Sequence, residues 1–200
     1  MIHSHATLRT HKEASAAWLF FKRWLANPLS MASITPSAPS LSRLMAEQIT
    51  RGPDEVVVEF GGGTGSVTRA ILESGVPADK LFTVERDPEL AAYLRRHYPG
   101  IHVLEGDVAD IRSMLPEDVR GKVGTVLVCL PMILIPVEDQ RSIVDAIFEV
   151  MPPGRAFYSY TYSARSPIRR KALGLKGRRV GFTIANIPPA SVWRFVRDGM

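Results

Sequence analysis

Apolar and polar positions alternate along the chain as short apolar runs separated by longer stretches with helical spacing. The clearest run is Val56, Val57 and Val58, β-branched and unbroken, which predicts a buried strand. Glu59 ends it. Gly61, Gly62, Gly63, Thr64 and Gly65 then make a turn that only small residues allow, and Ser66 to Glu73 resumes with Val67, Ala70 and Ile71 on one helical face. Strand, glycine turn and helix in that order open a doubly wound α/β domain, whose ligand site lies at the turn.

The same pattern repeats downstream. Leu81 to Glu85 is the second predicted strand, and Asp87-Pro88 starts a helix running to about Tyr98. Ile101 to Leu104 is the third strand, with a short helical stretch over 108–115. Val123 to Leu130 is a nearly all-apolar fourth strand, as a central parallel strand should be. A helix over 138–150 leads to a fifth strand at Ala156 to Tyr162. Val180 to Ala185 and Val192 to Val196 predict a closing antiparallel hairpin. Before the domain, a helix is expected from Leu41 to Ile49. Another, over residues 11–26, ends at Asn27-Pro28. The predicted fold is a Rossmann-like, mainly parallel sheet over residues 31–200, preceded by an amphipathic helix within residues 1–30.

Composition narrows the setting. The formal charge is +5 and the pI about 9.6, which suits an acidic partner: nucleic acid, anionic lipid or a phosphate-bearing substrate. Cys129 is the one cysteine, so there is no disulfide framework. No secretory signal is read at the N-terminus. The most apolar stretch, Val123 to Val137, is interrupted by Pro131 and Pro136 and falls short of the ~20 residues a spanning helix needs. In the N-terminal helix Trp18, Phe21 and Trp24 share a face, with Lys22 and Arg23 on the other, which fits a helix lying in a membrane interface.

Three acidic residues sit at three predicted strand ends: Glu59, Glu85 and Asp107. A nucleoside cofactor needs such an order: a backbone turn for its polar tail, a carboxylate for the ribose hydroxyls and a third group for the adenine amine. A carboxylate at the second strand also fits a dinucleotide site. However, Glu59 would repel a pyrophosphate and suits an ammonium-bearing ligand. The pattern resembles the class I S-adenosylmethionine-dependent methyltransferases over about Val56 to Val196. The resemblance implies that Gly61, Gly63 and Gly65 line the cofactor, with Glu59 under its methionine end. It gives Glu85 the ribose and Asp107 the adenine amine, with the adjoining Arg86 and Val108 in the same site. S-adenosylmethionine, released as S-adenosylhomocysteine, is the implied cofactor, with no metal.

The fourth strand ends Val128-Cys129-Leu130-Pro131-Met132. Adenine N6-methyltransferases carry asparagine and an aromatic where this chain has Cys129 and Met132. A flipped base needs stacking worth roughly 1–3 kcal/mol, so a nucleobase target is disfavoured and no nucleic-acid partner is expected. Nor is an added RNA-binding domain expected after Met200.

Three stretches are similar to the soluble bacterial phospholipid N-methyltransferases: Ser33-Ile34-Thr35-Pro36-Ser37, Leu130-Pro131-Met132, and Asn186 to Trp193. This implies methylation of phosphatidylethanolamine toward phosphatidylcholine by a cytoplasmic enzyme bound peripherally to the membrane. An ornithine-lipid N-methyltransferase, an rRNA adenine dimethyltransferase and a non-enzymatic lipid-binding module are the alternatives. On the resemblance, Leu130 and Pro131 lie near the transferred methyl, and Ser37, Ser40 and Asn186 near the methionine or headgroup end.

Further residues fit that chemistry on their own account. Residues 163–179 hold Arg165 and six other cations with no acid, suited to a lipid phosphate or an anionic surface. Tyr158, Tyr160 and Tyr162 alternate along the fifth strand and so share a face, where rings attract an alkylammonium. Tyr162, at the C-terminal end, is the first candidate for the substrate site, and core packing is expected for at least one of the three. No histidine reads as a dedicated base, so catalysis is expected to rest on proximity and orientation, with the proton leaving through water or a tyrosine.

Overall fold

The structure, a computed structural model, describes residues 38–186 and 188–199. The predicted N-terminal helix with Trp18, Phe21, Lys22, Arg23 and Trp24 lies outside the described residues, as does Ser37. The elements are α1 (Ala38–Ala46), β1 (Val56–Phe60), α2 (Ser66–Glu73), β2 (Leu81–Glu85), α3 (Pro88–His97) and β3 (His102–Glu105). They continue with α4 (Ile111–Met114), β4 (Val123–Val128), α5 (Val137–Val150), β5 (Phe157–Thr161), β6 (Leu175–Thr183) and β7 (Ala190–Arg197). Short 3-10 turns cover Ala78–Lys80, Val108–Asp110 and Met132–Leu134.

Seven strands form one sheet in the order β3-β2-β1-β4-β5-β7-β6. The first five in space are parallel, and β7 runs antiparallel to both β5 and β6. The expected α/β fold with its C-terminal hairpin is therefore what the chain adopts. Parallel strands covered on both faces must be apolar throughout, and β1, β2 and β4 are buried at every position. Alternation sorts their side chains. Val56, Val58 and Phe60 join Ile143, Ile147 and Phe157 in one core layer. Val57, Leu81 and Leu127 join Leu41, Met45 and Ile71 from α1 and α2 in the other.

Most boundaries shift by one or two residues, and two differ by more. Helix α1 stops at Ala46, not Ile49, and a turn follows. Strand β6 begins at Leu175, so Lys176, Arg178 and Arg179 belong to a strand and not to the basic loop. The reason is its place at the sheet's edge, where exposed cations are tolerated and discourage pairing with another chain. A register shift between Arg179 and Gly181 marks a bulge there.

At the N-terminal ends of the strands, Arg155 grips Glu55 with both guanidinium arms, one of them through a 3.1 Å Nε–Oε1 bond. The Gly52 N–H donates to the same carboxylate at 2.6 Å. This staple lies at the opposite end of the sheet from the glycine turn. Among the described residues no helix is long and apolar enough to cross a membrane.

Candidate active site

The site is built from the C-terminal ends of β1, β2 and β4. Strand alternation turns Glu59 toward the α2 layer, where it is fully buried. Its Oε2 accepts hydrogen bonds from Thr68 Oγ1 at 2.6 Å and Thr83 Oγ1 at 3.0 Å. Thr83 stands directly opposite in the β1–β2 register, and Thr68 sits in the first turn of α2. Glu59 Oε1 is buried and has no hydrogen-bond partner. Burial, and secondarily the charge of Glu85, push the Glu59 carboxyl up to about 7 against the pull of the two threonines. A buried carboxylate oxygen without a donor is costly unless a cationic group meets it.

The glycine turn is held from β2. Gly61 N–H donates to Val84 O at 2.8 Å, and Gly63 N–H to Glu85 Oε2 at 2.9 Å. The other Glu85 oxygen accepts Asp87 N–H at 2.8 Å, so one buried carboxylate fixes both the turn and the start of α3. Gly61 and Gly65 have φ of 84° and 81°, left-handed values that favour glycine. Side chains would not fit there either. A Cβ on Gly61 would come within 2.8 Å of the Leu130 side chain, and one on Gly65 within 2.2 Å of the Tyr98 ring. Tyr98 also donates its hydroxyl to Gly65 O at 2.9 Å.

Beyond β2 and β3, Arg86 pairs with Asp107 at 3.5 Å on the exposed side of the turn. Asp107 Oδ1 caps the following 3-10 turn through Ala109 N–H at 3.0 Å. Val108 is buried beneath it. These residues thus line the end of the strand row away from Glu59's own neighbours, Thr68 and Thr83.

On the β4 side, Cys129 N–H donates to Phe60 O at 2.8 Å, joining the exits of β1 and β4. Burial and the neighbouring Glu59 push the Cys129 thiol well above its usual range, which keeps it protonated. Leu130 leans over Gly61, Pro131 precedes a 3-10 turn, and Met132 points into the core, fully buried. Tyr160 neighbours Cys129 and Glu59. Burial first, and then Tyr162, raise its phenol well above the usual value. The Tyr160 and Tyr162 rings meet edge to face, centroids 5.7 Å apart. Asn186 offsets part of the rise that burial gives the Tyr162 phenol, and Ser40 Oγ donates to Asn186 Oδ1 at 3.0 Å.

At this end of the sheet Leu130 adjoins Gly61, Cys129 and Tyr160 neighbour Glu59, and Tyr160 meets Tyr162. Tyr158 is different: it is buried in the α1–α2 core layer, where it packs rather than faces a ligand. Arg165 is exposed just beyond Tyr162. His97 stacks on Tyr93 and His102 on Phe82. Sequence reasoning missed Gln140. It is buried on α5 and donates from Nε2 to Met132 O at 2.8 Å and to Ile135 O at 3.0 Å. Its only signal is a polar residue at a position where the helical pattern of α5 calls for an apolar one.

An ornithine lipid N-methyltransferase of Singulisphaera acidiphila is 32% identical over 147 residues, covering 72% of this chain and 77% of that protein. The chain belongs to this family of class I S-adenosylmethionine-dependent N-methyltransferases. No protein-family model matches the methyltransferase. A ribosomal RNA small subunit methyltransferase A of Chlorobium chlorochromatii is 46% identical, but over 59 residues, 30% of this chain and 21% of that protein. Among solved structures, the glycopeptide N-methyltransferase MtfA complexed with S-adenosylmethionine superposes with a TM-score of 0.62. The identity is 15%, over 80% of this methyltransferase and 94% of that chain. At that identity the likeness speaks for the fold.

The residues present fit the cofactor of the family. The unpartnered Glu59 Oε1 can accept from a cationic group, and the glycine turn follows it directly in the chain.

Proposed function

We propose that this methyltransferase methylates the amine of a membrane lipid, with an ornithine-lipid headgroup first and phosphatidylethanolamine second. The order follows the relative that covers most of the chain, which acts on ornithine lipid. The cofactor half of the reading rests on one observation, the buried carboxylate oxygen of Glu59 that has no partner of its own. When bound, S-adenosylmethionine supplies an electrophilic methyl on a sulfonium and an ammonium that matches Glu59.

The chain's own residues would do the rest. Glu59 holds the ammonium, and the glycine turn admits the backbone's close approach. Glu85, already fixed by the Gly63 and Asp87 N–H groups, keeps lone pairs for the ribose hydroxyls. Asp107, with Arg86 and Val108, takes the adenine end. Leu130 and Pro131 close over the turn and exclude water. Tyr160 and Tyr162 remain phenols at neutral pH, so they receive the alkylammonium on their π-faces, and water takes the amine proton. Asn186, braced by Ser40, fixes Tyr162. Arg165 meets the headgroup's anionic group, the carboxylate of ornithine or the phosphodiester of phosphatidylethanolamine. Holding the amine and methyl donor in line accounts for most of the acceleration, because orientation alone supplies several kcal/mol, on the order of 7–11.

The ribosomal RNA relatives favour a second reading, an adenine methyltransferase. Against it, position 132 carries a methionine turned fully into the core and so offers no stacking surface. The test compares initial rates of methyl incorporation into vesicles of ornithine lipid and of phosphatidylethanolamine. The reading expects incorporation into at least one, faster with ornithine lipid. Incorporation into neither would overturn it.

A further inference from the structure

Among the described residues, five large apolar side chains are exposed: Ile133 at 47%, Leu134 at 48%, Tyr162 at 40%, Phe182 at 53% and Ile184 at 77%. All five lie on one rim. Ile133 and Leu134 follow β4, Tyr162 follows β5, and Phe182 and Ile184 end and follow β6. Strands β5 and β6 both run antiparallel to β7, so they share a direction and their C-terminal ends stand level. The register fixes the height: Ser191 pairs with Thr161 on one side and Phe182 on the other. The apolar positions therefore flank Tyr162 on both sides, along the edge where the candidate active site opens.

On the β5–β6 side of this rim the charge has one sign, while Glu138 and Asp139 begin α5 on the β4 side. No Asp or Glu occurs between Glu149 and Asp198, a stretch that contains Arg165, Arg169, Arg170, Lys171, Arg178 and Arg179. Arg165 is exposed three residues beyond Tyr162. Arg179 lies over the Phe182 ring, 5.5 Å from its centroid, which couples a cation to the apolar edge itself.

Resting on the reading that the acceptor is a membrane lipid, we propose that this rim is where the folded domain docks on an anionic bilayer. Ile133 and Leu134 enter the interface on one side of the opening and Phe182 and Ile184 on the other. Arg165 and Arg179 meet the lipid phosphates. Docking in this pose sets Tyr162 at the level of the headgroups, so a lipid amine reaches the site with its acyl chains still in the bilayer. Exposed apolar residues beside cations are the physical signature of interfacial binding. A second copy of the chain would bring two like-charged surfaces together. An RNA backbone would gain nothing from isoleucine, leucine and phenylalanine side chains.

The test uses the full chain and vesicles of phosphatidylcholine with and without phosphatidylglycerol. Two variants are compared with the wild type, Ile133→Ser/Leu134→Ser and Phe182→Ser/Ile184→Ser. Each double variant is expected to lose about tenfold in partitioning onto the anionic vesicles while S-adenosylmethionine binding, read by calorimetry, stays at the wild-type value. Wild-type partitioning by both variants would overturn the proposal and assign membrane binding elsewhere, including residues 1–37. A concentration-dependent dimer that both variants abolish, with vesicle binding intact, would overturn it in favour of a second copy. Methylation of short-chain lipid dispersed in detergent micelles separates the rim from the chemistry. If the wild type fails there but both variants still lose vesicle binding, the lipid-acceptor reading falls and the docking rim stands.

Discussion

Gln140 Oε1 accepts the backbone N–H of Arg169 at 3.0 Å, from inside helix α5. The same side chain donates to the Met132 and Ile135 carbonyls, so one buried amide ties the loop after β4 to the loop after β5. Those are the two loops that carry Pro131 and Arg165. Gln140→Leu would remove three hydrogen bonds and leave the Arg169 N–H and the Ile135 carbonyl without theirs, at roughly 1–3 kcal/mol each, while Met132 O keeps the Ile135 N–H. Gln140→Glu keeps the acceptor for Arg169 but sets a carboxylate against two carbonyl oxygens. Both variants are expected to raise KM for the lipid several-fold with S-adenosylmethionine affinity unchanged. Steady-state kinetics beside calorimetry checks the split, and an equal loss in both would assign Gln140 to general stability.

Glu59 predicts a pH dependence. Its carboxyl sits at about 7 in the folded protein, above the ordinary glutamate range, chiefly because of burial. Between that range and pH 7 the native state holds a proton that the unfolded state has released. Stability of the ligand-free protein therefore falls as pH rises through that window and levels off above it. Cofactor affinity moves the other way, because a cation selects the ionised form: it rises toward pH 8 with proton release on binding. Titrations in buffers of different ionisation enthalpy measure that release. Glu59→Gln, unable to ionise, is expected to lose the pH dependence and about tenfold or more of affinity.

Gly65→Ala combines two faults, a left-handed φ and a Cβ inside the Tyr98 ring. It is expected to cost about 1–3 kcal/mol of stability and to weaken cofactor binding. Adding Tyr98→Ala removes the clash but not the backbone strain. Denaturant melts of the two variants should show partial recovery, and full recovery would make sterics alone responsible.

At the far end of the sheet, burial pushes the Glu55 carboxyl up, but the Arg155 bonds and the Gly52 N–H outweigh it and leave it below the ordinary range. Its stabilisation is complete above the ordinary glutamate range and is lost as pH falls through the lowered value. Arg155→Ala is expected to destabilise by about 2 kcal/mol at neutral pH. The deficit should shrink as the medium is made acidic, with no effect on cofactor affinity. Thermal melts across pH read both.

Much of this was legible in advance because the residues concerned serve the backbone. Three valines, four glycines and an acid at each of three strand ends predict β1, its turn and the cofactor side, since few other arrangements accommodate them. Tyr162 stands out by its position at a strand end, whereas Asn186 is reached only through the family resemblance. Tyr158 shows the limit of periodicity: it shares a face with Tyr160, yet depth along the strand puts it in the core. The start of β6 was hidden because cations on an edge strand read as a loop. Gln140, Thr68 and Thr83 were invisible for another reason. Their roles depend on partners distant in sequence, which no local pattern reveals.

The central claim is that the acceptor is a lipid amine and not a nucleobase. The most direct test puts both in one tube: vesicles of ornithine lipid and phosphatidylethanolamine, small-subunit ribosomal RNA, and methyl-labelled S-adenosylmethionine. After phase extraction, the account predicts label in the lipid fraction, on the headgroup nitrogen. Label in the RNA fraction alone, with cofactor binding intact, would contradict it.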